Sequence, residues 1–229
     1  MDIMENIMQR FFDILFSGVA IVILSPILTI ITIVLLFTGE HKVLYFQRRI
    51  GKYGKPFYLF KFVTMVTNAE KMGLGDITVR NDVRVLPVGK VLRITKLNEL
   101  PQLLNIFLGH MSVIGPRPLL ESGYDCYSPE VKNMIDQVLP GLSGIGSIVF
   151  RDEEKILTLV DDPKYFLNTV ISAYKGELEV WYVRNRSIIL YFKLIILTVV
   201  SVINSKSNLY RGWLKKLPPI PEALKQYIC

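Results

Sequence analysis

No charged residue occurs from Ile14 through Phe37, a run of 24 positions that no other stretch of the chain matches. As a helix rising 1.5 Å per residue it reaches ~36 Å, enough for the ~30 Å hydrocarbon layer of a bilayer. Ser25-Pro26 interrupts the run at its middle. Proline has no N–H and crowds the preceding turn, so a bend is expected there, with Ser25 able to satisfy a freed carbonyl. The segment could span with a kink or turn back as a helix-break-helix hairpin, and the pattern leaves both open. Asp2, Glu5 and Asp13 stand where a signal peptide carries basic residues, and no small-x-small site precedes Glu40, so no cleavage is expected.

Beyond residue 40 the periods shorten. Val43–Gln47 and Phe57–Phe62 are aromatic and β-branched, with Gly51 and Gly54 between them, which predicts a β-hairpin with a basic turn. Leu97, Leu100, Leu103, Leu104, Phe107 and Leu108 recur at helical spacing and predict an amphipathic helix over Asn98–Leu108. Asn98 is a good helix cap, Glu99 suits the first turn, and Pro101 is tolerated where amides have no intrahelical partner. Pro140–Gly146 reads as a flexible turn. The late apolar stretch, Leu178–Val183 and Ile188–Ile203, contains Lys193 and is short, which favours an interfacial or buried helix over a second span. The expected fold class is α+β and mostly helical: a membrane-anchoring helix over 1–40, a compact domain with a small hairpin and amphipathic interfacial helices over 41–205, and a tail over 206–229.

Composition supports that picture. With 51% hydrophobic residues and a mean hydropathy of +0.37, the chain is too apolar for an ordinary soluble domain. The net charge of +7 suits anionic lipid, nucleic acid or phosphate-bearing substrates. Lys42, Arg48, Arg49, Lys52 and Lys55 follow the apolar run and Arg10 alone precedes it, so the C-terminal side should be cytoplasmic. Cys126 and Cys229 lack the spacing of a disulfide framework or metal site and read as free thiols. His41 and His110 have no partner at zinc-ligand spacing.

Several short motifs fit phosphate chemistry, and each also has a plain structural reading. Arg48-Arg49-Ile-Gly51-Lys52-Tyr-Gly54-Lys55-Pro sets four cations around a glycine turn, either to hold phosphate or as a solvated turn beside anionic lipid. Lys61 lies between aromatic residues that would hold its stem, as they would for a surface lysine. Gly115-Pro116-Arg117-Pro118 fixes φ on both sides of one arginine, which orders a guanidinium for a phosphate or carboxylate or simply makes a turn. Arg151 opens a charge run, Arg-Asp-Glu-Glu, that reads most simply as solvated.

Taken in order, R-x-G-x-x-G-K-P-F, K-F-x-T-M, the D-x-R of Asp82 to Arg84, E-L-P-Q-L, M-S-V-I-G-P-R-P and P-G-L-S-G resemble the bacterial sugar transferase family over about Arg10 to Ile203. These are polyprenol-phosphate phosphoglycosyl transferases. The resemblance implies a monotopic protein at the cytoplasmic face of the bacterial inner membrane, its re-entrant helix turned at Ser25 and Pro26. It implies transfer of sugar-1-phosphate from a UDP-sugar to polyprenyl (undecaprenyl) phosphate with release of UMP, as the first step of polysaccharide assembly. Mg²⁺ is the implied cofactor; anionic lipids are expected partners and nucleic acid is not. A homo-oligomer or other glycan-assembly partners stay open.

In the family's pattern an Asp-Glu pair acts as nucleophile and metal ligand; here the pair is Asn98 and Glu99. The resemblance assigns the metal to Glu99 and phosphate or substrate contacts to Lys61, Arg49, Arg84, Arg117 and, loosely, Arg151. Val63 stands in place of the arginine of K-F-R-T-M, and His110 in place of the aspartate of G-D-M-S. An amide carries no negative oxygen and its nitrogen lone pair is delocalised, so Asn98 is not expected to attack phosphorus as a carboxylate does. Two readings follow: an enzyme in which Glu99 or the lipid phosphate attacks, or a catalytically silent homologue that scaffolds or binds UDP-sugar or lipid phosphate.

Overall fold

The computed structural model describes residues 3–73, 75, 78, 81–204 and 208–228. Helix α1 (Ile3–Phe37) continues through Pro26 and is long and apolar enough to cross a membrane. The carbonyl that loses its partner to Pro26 is that of Val22, and Ser25 Oγ donates to it at 2.8 Å, as expected of a serine beside proline. One stripe of α1 faces the rest of the chain along nearly its whole length. Asp13 and Ser17 are buried; Ala20, Ile21 and Leu24 pack on Leu59, Leu103, Ile106 and Met111; Ile31 and Leu35 join Phe62 and Leu92. The other stripe, with Ile7, Phe11, Val22, Ile23, Ile30 and Phe37, is exposed.

Polar bonds lock the N-terminal half of α1 in place. Asp13, 1% exposed, accepts from Ser112 Oγ (3.0 Å), the Val113 amide (2.8 Å) and Tyr191 OH (2.9 Å). Arg10 donates to the carbonyls of Ile106 (2.7 Å) and Phe107 (2.9 Å) at a helix C-terminus, where positive charge is favoured. Asp13→Ala would strand three inward-facing donors, and is expected to lower stability by about 3 kcal/mol or more. Thermal unfolding in detergent checks this; an unchanged midpoint would remove Asp13 from the account of how the helix is held.

Strands β1 (Leu44–Ile50) and β2 (Pro56–Phe62) form the expected hairpin, antiparallel from Leu44↔Phe62 to Ile50↔Pro56. Odd-numbered side chains of both strands share one face, so Gln47, Arg49, Leu59 and Lys61 lie together and Arg48 points away. Helix α2 (Pro87–Ile94) starts on proline, and α3 (Gln102–Leu108) protects the hairpin edge: buried Asn105 accepts from the Phe60 amide (2.9 Å) and donates to the Tyr58 carbonyl (2.8 Å). Such capping leaves no open strand edge there.

The predicted helix start at Asn98 is corrected. Lys96 is left-handed (φ 60), Leu97–Glu99 form a 3₁₀ turn, and the α-helix begins only at Gln102, after Pro101. Pro101 has no N–H for an i→i−4 bond, so Glu99 and Leu100 close shorter bonds to Lys96 and Leu97. The flexible turn expected over Pro140–Gly146 is also corrected. Here β3 (Ser112–Ile114) and β4 (Gly141–Ser143) pair in parallel, and a Cβ on Gly141 would sit 2.1 Å from the Gly115 nitrogen. These glycines permit close backbone approach.

Short helices α4 (Glu121–Asp125), α5 (Pro129–Ile135), α6 (Ile145–Val149), α7 (Glu153–Thr158) and α8 (Pro163–Phe166) lead to the long pair α9 (Ser172–Arg184) and α10 (Ile188–Ile203). The main core lies between these two and α6, with Ile145, Leu178, Leu194 and Leu197 buried. α10 exposes Ile189, Ile196, Val199 and Val202 on its other side. Helices α11 (Leu209–Trp213) and α12 (Glu222–Ile228) fold back onto this core through Tyr210, Leu214, Leu224 and Ile228. Cys126 is a free thiol, and Cys229 lies outside the described residues.

Candidate active site

Three chain segments converge where the hairpin meets the 3₁₀ turn and the Pro-Arg-Pro loop. β2 supplies Lys61, β1 supplies Arg49, the turn supplies Asn98 and Glu99, and the loop supplies Arg117. Gln47 Oε1 organises the hairpin side, accepting from Arg49 at 3.1 and 2.6 Å and from Lys61 Nζ at 3.5 Å. Arg49 also donates to the Pro118 carbonyl (3.2 Å), which ties the hairpin to the loop. Arg117 approaches Glu99 Oε1 to 3.8 Å, with 43% of its side chain exposed against 21% for Glu99. A narrow cleft beside Arg117 is lined by Arg49, Lys61, Gln102, Arg117, Pro118 and Leu142.

Electrostatics follow from this crowding of cations around one carboxylate. Burial pushes the Glu99 carboxyl up, yet Arg117, Lys61, Lys96 and Arg49 together outweigh it and hold Glu99 below the usual range. Burial, followed by the charges of Arg49, Arg117 and Arg93, brings Lys61 down to about 7 despite the opposing pull of Glu99. An anion entering the cleft restores the charged form, so binding takes up a proton above pH 7. Affinity for sulfate, which does not titrate in this range, is expected to fall by up to about tenfold per pH unit above 7. Lys61→Arg should flatten that dependence in calorimetry; an unchanged slope would exclude Lys61 as its source.

The Pro-Arg-Pro loop rests on close backbone packing. Gly115 N donates to the Ser143 carbonyl (2.9 Å), and Gly141 N to the Pro116 carbonyl (2.7 Å). Beneath it, the Arg117 amide donates to Glu179, a buried carboxyl that burial pushes up to about 8. Glu179 occupies the space that a side chain at Gly146 would need, 2.5 Å from a Cβ there.

The structure brings together Lys61, Arg49, Asn98, Glu99 and Arg117, but not the other nominated cations. Arg84 is corrected to a structural role: it is 5% exposed, paired with Asp82 at 2.6 Å, and donates to the carbonyls of Ala69, Met72 and Gly75. A guanidinium so engaged braces the 69–75 loop and has no free fork for phosphate. Among the described residues, Arg151 reaches the Val202 carbonyl, at 3.5 Å, at the end of α10. Of the four basic-turn residues only Arg49 points into the cleft; Lys52 lies over the Tyr53 ring and Lys55 is exposed. Sequence reasoning missed Arg93, whose charge acts on Lys61, along with Gln47, Gln102 and Glu179. The L-R-x-T spacing ahead of the Asn-Glu turn was the available signal for Arg93.

Asn98 is only 7% exposed, and among the described residues its Oδ1 has no hydrogen-bond partner. Buried acceptors are rarely left unpaired, and this one belongs to the residue that precedes Glu99 in the 3₁₀ turn. Among the described residues no group of three or more His, Cys, Asp or Glu side chains could hold a metal.

Comparison with known proteins places this geometry. Over 206 residues the chain is 34% identical to the UDP-glucose:undecaprenyl-phosphate glucose-1-phosphate transferase of Klebsiella pneumoniae, covering 88% of this chain but only 41% of that protein. It is 34% identical over 180 residues to the exopolysaccharide production protein ExoY of Rhizobium meliloti, covering 72% of this chain and 79% of that one. It is also 34% identical over 143 residues to the UDP-N-acetylgalactosamine-undecaprenyl-phosphate N-acetylgalactosaminephosphotransferase of Aeromonas hydrophila, covering 62% of this chain and 34% of that protein. The family model described as bacterial sugar transferase matches residues 4–205, and the chain belongs to that family.

Proposed function

We propose that this protein transfers a sugar-1-phosphate from a UDP-sugar to undecaprenyl phosphate and releases UMP, as the initiating step of polysaccharide or glycoconjugate assembly. The observation that carries the reading is the ring of Lys61, Arg49, Lys96 and Arg117 around Glu99, on a domain whose longest helix is apolar enough for a membrane. Transfer between two phosphates needs dense positive charge, because nucleophile and target are both anionic. The relatives named for this chemistry support it.

Mg²⁺ fits the residues present. Glu99 and Asn98, whose oxygen has no partner among the described residues, are consecutive in the 3₁₀ turn and both offer hard oxygen donors, and magnesium is commonly held by one or two protein oxygens plus substrate phosphates. When bound, the ion would neutralise pyrophosphate charge. Around it Arg117 orients the donor, Lys61 and Arg49 hold phosphate oxygens, and the packed loop keeps the arginine in place.

The chain would lie monotopically on the cytoplasmic face, its α1 re-entering the bilayer at Ser25-Pro26. Support comes from both halves of α1 packing against one domain. Exposed apolar residues Leu104, Phe107 and Leu108 of α3 beside α1 favour the same placement. So do the cations that follow the helix.

The silent-homologue reading rests on Asn98, which offers no carboxylate. Incubating purified protein with undecaprenyl phosphate, Mg²⁺ and UDP-glucose, UDP-galactose or UDP-N-acetylgalactosamine decides between them. UMP with a matching lipid product supports the enzyme; sugar-nucleotide binding with no UMP from any donor supports the silent homologue.

A further inference from the structure

Arg117 borders two hollows. One is the cleft it shares with Arg49 and Lys61. The other is a shallow hollow on the far side of the Pro-Arg-Pro loop, with apolar walls such as Ile50, Leu119 and Val138; besides Arg117, the polar side chains lining it are Tyr124 and Asp136.

The glycine turn of the hairpin closes over this pair. Tyr53 is left-handed (φ 62) and its amide donates to the Asp136 carbonyl at 2.8 Å. Gly54 is left-handed as well (φ 67), and a Cβ there would lie 3.3 Å from Asp136 Oδ2 and 3.9 Å from Tyr124 OH. Tyr124 OH donates to Asp136 Oδ2 at 2.8 Å, and Lys132 Nζ lies 4.8 Å from the centre of the Tyr124 ring. These contacts hold the carboxylate in one orientation. Carboxylate oxygens offer about four lone-pair sites, so the bond from Tyr124 leaves capacity for a ligand.

The two hollows differ in charge. The cleft is cationic and suits phosphate, whereas the second hollow sets a carboxylate among apolar walls, which repels phosphate and accepts from O–H groups. Of the two neutral ends of a UDP-sugar, uracil shows its one N–H between two carbonyl oxygens, which a carboxylate also repels. A hexose presents neighbouring hydroxyls, all of them able to donate, and an apolar C–H edge that fits the walls.

We infer that this hollow seats the sugar of the donor, and that Asp136, oriented by Tyr124, accepts from the sugar's hydroxyls and so determines which UDP-sugar is used. This rests on the transferase reading above. Arg117 stands at the junction, where the pyrophosphate meets the sugar. Asp136 takes no part in bond exchange; it discriminates, because a site built to bond a hydroxyl rejects a sugar that lacks it or points it elsewhere.

The test uses the full chain and two readouts: calorimetric Kd for UDP and for UDP-glucose, UDP-galactose and UDP-N-acetylgalactosamine, and transfer of each sugar to undecaprenyl phosphate with Mg²⁺. Asp136→Asn is expected to raise the Kd of the preferred UDP-sugar about tenfold or more, to leave that of UDP within about twofold, and to narrow the kcat/KM ratio between sugars. Unaltered UDP binding also shows that the variant folds. Tyr124→Phe should shift the same quantities in the same direction by less, and carries the test if the first variant is unstable. Equal weakening of UDP and UDP-sugars would place uridine in the hollow and overturn the assignment. Unchanged Kd values and sugar ratios would overturn it too, by removing the hollow from donor recognition. The Kd readout needs no turnover, so a wild type that binds UDP-sugars but releases no UMP sinks the transferase reading while the hollow is still judged by its own result.

Discussion

Glu99→Gln is expected to lower transfer by about 10²–10³-fold or more while the protein stays folded and still binds sugar nucleotide. The substitution keeps the shape of the side chain and removes the one negative charge in a ring of cations. Anion binding should therefore hold or tighten, because the ring's positive charge is no longer offset. On the proposed function, what is lost is the anionic oxygen that would hold Mg²⁺ and the counter-charge beside Arg117, so the loss falls on kcat and not on donor affinity. Stability should change little, since the ion pair spans 3.8 Å and Arg117 is 43% exposed. Steady-state kinetics and donor calorimetry on the same preparation check this; a loss confined to donor Kd would mean that Glu99 serves binding alone.

Gly141→Ala is expected to cost about 3 kcal/mol or more and to abolish activity, although residue 141 carries no chemistry. Its Cβ would lie 2.1 Å from the Gly115 nitrogen, 2.4 Å from the Ser143 oxygen and 2.6 Å from the Gly115 oxygen. All three are backbone atoms, so no rotamer change relieves the clash. Either β4 separates from β3 or Gly115 shifts, and Pro116-Arg117-Pro118 moves with it. Gly212→Ala is the control, with nothing within 4 Å of its Cβ; in a helix it should be neutral or slightly stabilising. Thermal unfolding of the two variants side by side separates them, and equal midpoints would show that the β3–β4 contact does not hold the loop.

Much of this protein is legible along the chain because local pattern decides it. The apolar run, the aromatic strands around Gly51 and Gly54, and the Pro-Arg-Pro turn all carry their own geometry. Whether a cation faces the substrate does not, since that depends on which carboxylates and carbonyls surround it after folding. Arg84 and Arg93 are similar in sequence terms, yet three loop carbonyls and Asp82 take up the first, while the second pairs with the half-exposed Glu154. Asn98 reads as a helix cap by local preference, and Pro101 overrides that by delaying the helix to Gln102. The Pro140–Gly146 stretch has turn composition, but Gly141 and Gly144 answer to Gly115, 26 residues away from Gly141, and Gly146 to Glu179; only the tertiary contacts show why side chains are excluded.

Phosphorus-31 NMR of the purified chain mixed with undecaprenyl phosphate, Mg²⁺ and its UDP-sugar tests the central claim most directly, because it watches the bond that the site is built to exchange. The account predicts that the lipid phosphomonoester and the UDP-sugar signals decline together, while UMP and a new lipid-linked pyrophosphate grow in equal amounts, and that Glu99→Gln stops all four changes. Unchanged spectra with every donor, or UMP accompanied by free sugar-1-phosphate and no lipid product, would contradict it.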